Sequence, residues 1–173
     1  MDLRYPIGQF EYVQALSEDE RLEWVRQLEV APARLRVAVE ELSDEQLDTP
    51  YRPDGWTVRQ VVHHLPDSHI NNYVRFRLAL TEDDPAIRPY DEARWAELSD
   101  ARTGPIGVSL KLMEALHRRW TTLLRSLTPG DYERSFRHPE IGTVTLDKNI
   151  ALYAWHGRHH VAHITSLRQR MEW

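Results

Sequence analysis

Apolar residues recur at helical spacing in four stretches of the chain. Leu22, Val25 and Leu28 follow Ser17-Glu18-Asp19-Glu20, a capping box in which hydroxyl and carboxylate satisfy each other's backbone amides. A helix is predicted from there, kinked or divided at Pro32 and ending near Leu42. Ser43-Asp44-Glu45-Gln46 repeats the signature for a short helix that Pro50 stops. Thr57-Val58-Arg59-Gln60 opens the second long helix, and Val58, Val61, Val62, Leu65, Val74, Leu78 and Leu80 carry it to about residue 80. Pro66 lies inside it, removes one backbone donor and predicts a kink just after His64. Met113, Leu116, Trp120, Leu123 and Leu127 form the stripe of a third helix, and a fourth begins near Thr145 and runs to about Arg170.

Between these stretches, residues 81–108 carry Pro85, Pro89, Gly104, Pro105 and Gly107. They read as a long connection with a short helix around Asp91–Leu98, of the kind that often covers a site. Phe136 to Thr145, with Glu140-Ile141-Gly142 as its turn, offers at most a small hairpin. Four long helices in 173 residues predict an all-α fold: one domain, 1–173, built as a four-helix bundle with a minor hairpin before the last helix.

Composition narrows the function more than the fold. The formal charge of −5 and the scatter of arginines among acids argue against a nucleic-acid partner. No apolar run is long enough to span a membrane, and Met1 to Pro6 lack the apolar segment of a signal peptide, so a cytoplasmic protein is expected. Cysteine is absent, which removes disulfides, thiolate ligands and protein thiol nucleophiles; any metal must be held by nitrogen or oxygen.

Histidine supplies that nitrogen. Seven of nine stand in two groups, His63, His64 and His69, and His156, His159, His160 and His163. His159 and His163 are four apart on one helix face, and His64 flanks the apolar Val61 and Leu65, so the expected ligand set is His64, His159 and His163. Three histidines and an open position form a recurring catalytic zinc arrangement, whereas structural zinc usually takes four protein ligands. His160 occupies the place where a zinc protease helix needs its glutamate, which disfavours a peptidase. His156 is read as structural, with an outer hydrogen-bond donor or replacement ligand as the alternatives, and His63, His69 and His160 as bystanders off the ligand face. Asn71 is read as an exposed or core-rim amide, with a place bordering that face as the alternative, and Asp67, the local acid, as solvated.

An open metal position suits two chemistries: activation of water for hydrolysis, or binding of a small thiol that is then deprotonated without a protein base. The second needs fewer residues, and no catalytic side chain is assigned for either. A structural ion in a binding protein is the third reading. Arg59, Arg75 and Arg158 are the helix-borne cations that could meet an anionic thiol cofactor.

Tyr5-Pro6-Ile7-Gly8, Leu47 to Arg52, Gly55 to Leu65, Pro85 to Asp91 and His159 to Thr165 together resemble the YfiT-type members of the DinB-like superfamily, over nearly the whole chain. That family is described as metal-dependent hydrolases and includes bacillithiol transferases. The resemblance implies a four-helix bundle, a homodimer, zinc or nickel as the ion, and ligands at His64, His159 and His163. It also implies a small-molecule substrate, with a bacillithiol-like thiol as co-substrate. Pro66 departs from the pattern, in which alanine is usual at that place.

Overall fold

The structure is a computed structural model that describes residues 2–12 and 17–173. Each expected helix start is present with its cap. α1 (Glu18–Ala38) begins at Ser17 and α2 (Asp44–Leu47) at Ser43. α3 (Val58–Thr81) begins at Thr57, and all three starts close as full capping boxes. α3 runs through Pro66 and α1 through Pro32 without interruption. The long connection holds α4 (Glu92–Trp95) and also α5 (Ser99–Thr103), which the sequence pattern did not signal. After α6 (Ile106–Arg125) and the short α7 (Pro129–Glu133), β1 (Ser135–His138) and β2 (Gly142–Thr145) pair antiparallel as the small hairpin. α8 (Leu146–Met171) closes the chain.

The four long helices pack as a ring in which α1 touches α8, α8 touches α3, α3 touches α6 and α6 returns to α1. Chain order and ring order therefore differ, since the chain crosses the bundle on passing from α1 to α3 and again from α6 to α8. Two apolar clusters fill it. Val25, Leu28, Phe76, Trp120, Leu124 and Ile150 form one, and Leu35, Val58, Val61, Leu65, Met113 and Ile164 the other. Beside them runs a polar layer, to which α3 contributes His69 and Asn72, α6 His117, and α8 Asn149 and His160, all buried.

Much of that layer is satisfied across helices. Asn72 and Asn149 exchange two amide hydrogen bonds, each 2.8 Å, across α3 and α8. Each step forward on α3 is matched by a step back on α8, so Ser68 meets Tyr153 and His64 meets His156. The amide pair thereby sets an antiparallel register that no apolar contact would fix so tightly, because an unpartnered buried amide is costly whereas sliding leucines are not. At the bundle's ends, Arg21 grips Asp147 with two bonds of 2.7 and 2.9 Å. Buried Arg59 binds Asp48, Asp44 and the Gly104 carbonyl. A side chain at Gly104 would collide with the Asp100 carbonyl, which explains glycine there.

His117 links α6 to α1 by donating from Nδ1 to the Leu28 carbonyl. Burial pushes its imidazole down to about 4. The unfolded chain takes up a proton near pH 6.5 that the folded chain refuses until about 4, so stability is lost as pH falls through that window.

Two outcomes follow from this packing. Asn72→Leu, which strands the Asn149 amide, should cost about 1–3 kcal/mol in urea unfolding, and the double change to leucine should recover much of the loss. Metal-free protein should lose stability from pH 6.5 towards 4.5, His117 accounting for about 1.4 kcal/mol per pH unit. His117→Phe should flatten the profile by close to one proton, read from urea midpoints across that range.

Candidate metal centre

His64, His156 and His160 form the one group of potential metal ligands found among the described residues, each offering an atom within 4.8 Å of the others'. α3 supplies the first and α8 the other two, which stand four apart on the helix and so share a face. The ring centroids lie 5.4 Å apart for His64 and His156, 4.8 Å for His64 and His160, and 4.5 Å for His156 and His160. His64 Nε2 and His156 Nε2 are 3.4 Å apart. Two nitrogens at about 2.0–2.1 Å from a tetrahedral ion stand roughly 3.3 Å from each other, so this spacing suits shared coordination.

Electrostatics points the same way. Burial pushes His64 down to about 4, and burial with neighbouring imidazoles holds His156 and His160 well below their ordinary value. Neutral imidazoles are the form a metal requires. His64 Nδ1 and His160 Nδ1 are buried without a hydrogen-bond partner, whereas His156 Nδ1 is taken up by His69 at 3.2 Å. With nitrogen donors only, all neutral and converging, the set fits a borderline cation such as zinc or nickel.

The expected set kept His64 and paired it with His159 and His163; the structure brings His64 to His156 and His160 instead. His163 stacks on Tyr51 with centroids 4.0 Å apart and donates from Nε2 to the Arg4 carbonyl at 3.1 Å. His159 lies between Tyr5 and Trp155, with centroids 5.9 and 4.4 Å away. The N-terminal segment covers Trp155 and His159, with Phe10 on the one and Tyr5 on the other, while Leu152 packs against the first apolar cluster. Both histidine pairs have the same spacing, so only the phase of α8 separates them. The signal that points to the pair meeting His64 is the polar partner stripe of Asn149, Tyr153, His156 and His160, which is the face α3 meets.

The remaining candidates are placed clearly. His63 donates to the Gly104 carbonyl and accepts from Ser109, a structural bond away from the cluster. His69, expected as a bystander, is wholly buried between His156 and His117. Asn71 binds back to the Asp67 carbonyl on its own helix. Burial, with Asp100 nearby, raises the Asp67 carboxyl to about 6, yet Asp67 does not line the cleft above the cluster.

That cleft measures about 510 Å³, within the range of small-molecule sites. His64, His156 and His160 line it together with Trp56, Ser68, Tyr90 and Tyr153. Arg75, Glu92, His138 and Glu140 give it charged and polar walls, so the long connection and the hairpin both frame the entrance. Trp56 sits against His64 with centroids 4.7 Å apart. Of the three candidate cations, Arg75 reaches the cleft, Arg59 is held by Asp44 and Asp48, and Arg158 lies over the Trp24 ring.

Comparison with known proteins agrees with this architecture. The family model of the DinB superfamily matches residues 27–164. A protein of Bacillus mycoides (strain KBAB4), named "putative metal-dependent hydrolase", is 56% identical over 172 residues, covering 99% of both chains. A protein of the same description from Bacillus thuringiensis subsp. konkukian (strain 97-27) is also 56% identical with the same coverage. The structure of YfiT from Bacillus subtilis, titled a probable metal-dependent hydrolase with an unusual four-helix bundle topology, superposes with a TM-score of 0.98 at 52% identity, covering 100% of this chain and 99% of that one. The four-helix bundle protein TT2238 shares the fold alone, at 18% identity and a TM-score of 0.56, over 82% of this chain and 94% of its own. With the helical ring, the hairpin and the matched model in agreement, this chain is a four-helix bundle and belongs to the DinB superfamily.

Proposed function

We propose that this chain is a metal-dependent enzyme in which His64, His156 and His160 hold one divalent cation, zinc or nickel, and that it transfers a small bacillithiol-like thiol to an electrophile bound in the cleft. The observation that carries the reading is the convergence of three neutral imidazoles, two of their nitrogens 3.4 Å apart, on a cleft of about 510 Å³. When bound, the ion lowers the pKa of a thiol placed on it, so that sulfur is nucleophilic without a protein base. The names of the relatives support metal dependence.

The side chains around the cluster have definite parts in this reading. With no cysteine in the chain, the sulfur arrives with the substrate. Arg75 is the cation available to the carboxylates of an acidic thiol. Burial keeps the Tyr90 and Tyr153 phenols protonated, so they serve as hydrogen-bond donors to the thiol's polar groups. Trp56 offers an apolar wall for the electrophile. In the transfer, the thiol proton goes to solvent, a sulfur–carbon bond forms, and the leaving group departs with its bonding pair.

A second reading, metal-assisted hydrolysis, is favoured by one observation beyond the relatives' names. Glu92 and Glu140 stand on the cleft wall and supply carboxylates able to move a proton, a group the sequence alone had not offered beside the histidines.

Zinc loading should separate the two histidine pairs: His156→Ala and His160→Ala should weaken affinity by roughly two orders of magnitude or more in chelator competition. His159→Ala should still bind one ion per chain. Zinc- or nickel-loaded protein should conjugate bacillithiol to monochlorobimane with release of chloride, and stripped protein should not. Stoichiometric metal without conjugation would move the assignment to hydrolysis.

A further inference from the structure

Behind the cluster, two buried imidazoles, the half-buried imidazole of His156 and one carbonyl form a continuous hydrogen-bonded line. The Leu28 carbonyl on α1 faces His117 Nδ1 at 2.5 Å; His117 Nε2 faces His69 Nδ1 at 2.9 Å; His69 Nε2 faces His156 Nδ1 at 3.2 Å. Both inner members are almost wholly enclosed, His69 at 0% and His117 at 1% exposure. We propose that this line is a tautomer relay, in which the Leu28 carbonyl dictates through His117 and His69 that His156 carries its proton on Nδ1 and presents the Nε2 lone pair to the metal.

The direction follows from one fixed end. A peptide carbonyl only accepts, so His117 donates from Nδ1 and, being neutral, accepts at Nε2. His69 must then donate from Nδ1 and accept at Nε2, which receives the proton of His156 Nδ1. A charged His69 in the middle would donate both ways and break the sequence. Its position excludes that charge: it is enclosed by Trp120, Tyr153 and two imidazoles, with no carboxylate on either ring nitrogen. Imidazoles left to themselves favour the proton on Nε2, which here would block the atom that lies 3.4 Å from His64.

Histidine ligands elsewhere are held in the same way by a carboxylate or a carbonyl. Here the carbonyl acts at a distance, through two further histidines on α3 and α6, so that α1 and α6, which give no ligand, orient one. His69 and His117 are accordingly positioning residues. The inference rests on the proposed metal centre for its consequence, but not for its geometry.

Nitrogen-15 histidine spectra of metal-stripped wild-type protein at pH 7.5 provide the direct test. Expected are Nδ1-protonated tautomers for His156, His69 and His117; an Nε2-protonated His69 or His117 would overturn the relay whatever the protein binds. Zinc affinity, measured against a chromophoric chelator, adds the second readout. His69→Leu should weaken binding about 10–100-fold. His69→Gln, whose amide oxygen can still accept from His156 Nδ1, should recover most of that affinity. Equal affinity in His69→Leu and wild type, or equal loss in both variants, would overturn the positioning role. No zinc binding by wild type with the three tautomers as expected would instead overturn the metal centre itself.

Discussion

The amide pair between Asn72 and Asn149 is the constraint on which the geometry of the cluster depends. Both side chains are buried, and each is satisfied by the other alone, so a shift of α3 along α8 by one turn would strand polar atoms from both. His64 lies two turns before Asn72 and His156 two turns after Asn149, on helices that run in opposite directions. Fixing one pair therefore fixes the other, and the 3.4 Å approach of His64 to His156 is set by a contact that has no part in the chemistry.

Around that register the bundle separates its tasks. Apolar clusters at either side of the polar layer supply most of the burial, while the layer itself supplies specificity of alignment and the chemical groups. The layer holds its imidazoles neutral by desolvation, with few charges nearby to reverse the effect. The carboxylates that could have reversed it are engaged at the margins, Asp44 and Asp48 by Arg59 and Asp147 by Arg21, where the pairs pin helix ends. Only Arg75 among these helix-borne cations lines the cleft, beside the carboxylates of Glu92 and Glu140.

Segments outside the four helices decide what the histidines of α8 become. The N-terminal residues Arg4, Tyr5 and Phe10 lie along one side of α8 and convert His159, His163 and Trp155 into parts of a packed seam. The adjoining side meets α3 and carries the cluster. The hairpin and the long connection add His138, Glu140, Tyr90 and Glu92 to the cleft, so its walls come from the least regular parts of the chain.

The helix starts, the hairpin and the bundle class were all legible in the sequence, because capping boxes and apolar periodicity act within a few residues. So was the class of ligand, since a chain without cysteine but rich in histidine leaves little choice of donor. The histidine pair was not legible. His156 and His160 have the same spacing as His159 and His163, and a periodicity fixes which residues share a face without fixing what that face touches. That was decided by the ring order of the helices, by the amide register and by the N-terminal segment, all of them contacts between residues far apart in the chain. The same holds for His69 and His117. His69 reads as a bystander in sequence and His117 carries no signal there; only the packing of α1, α3, α6 and α8 lines them up behind His156.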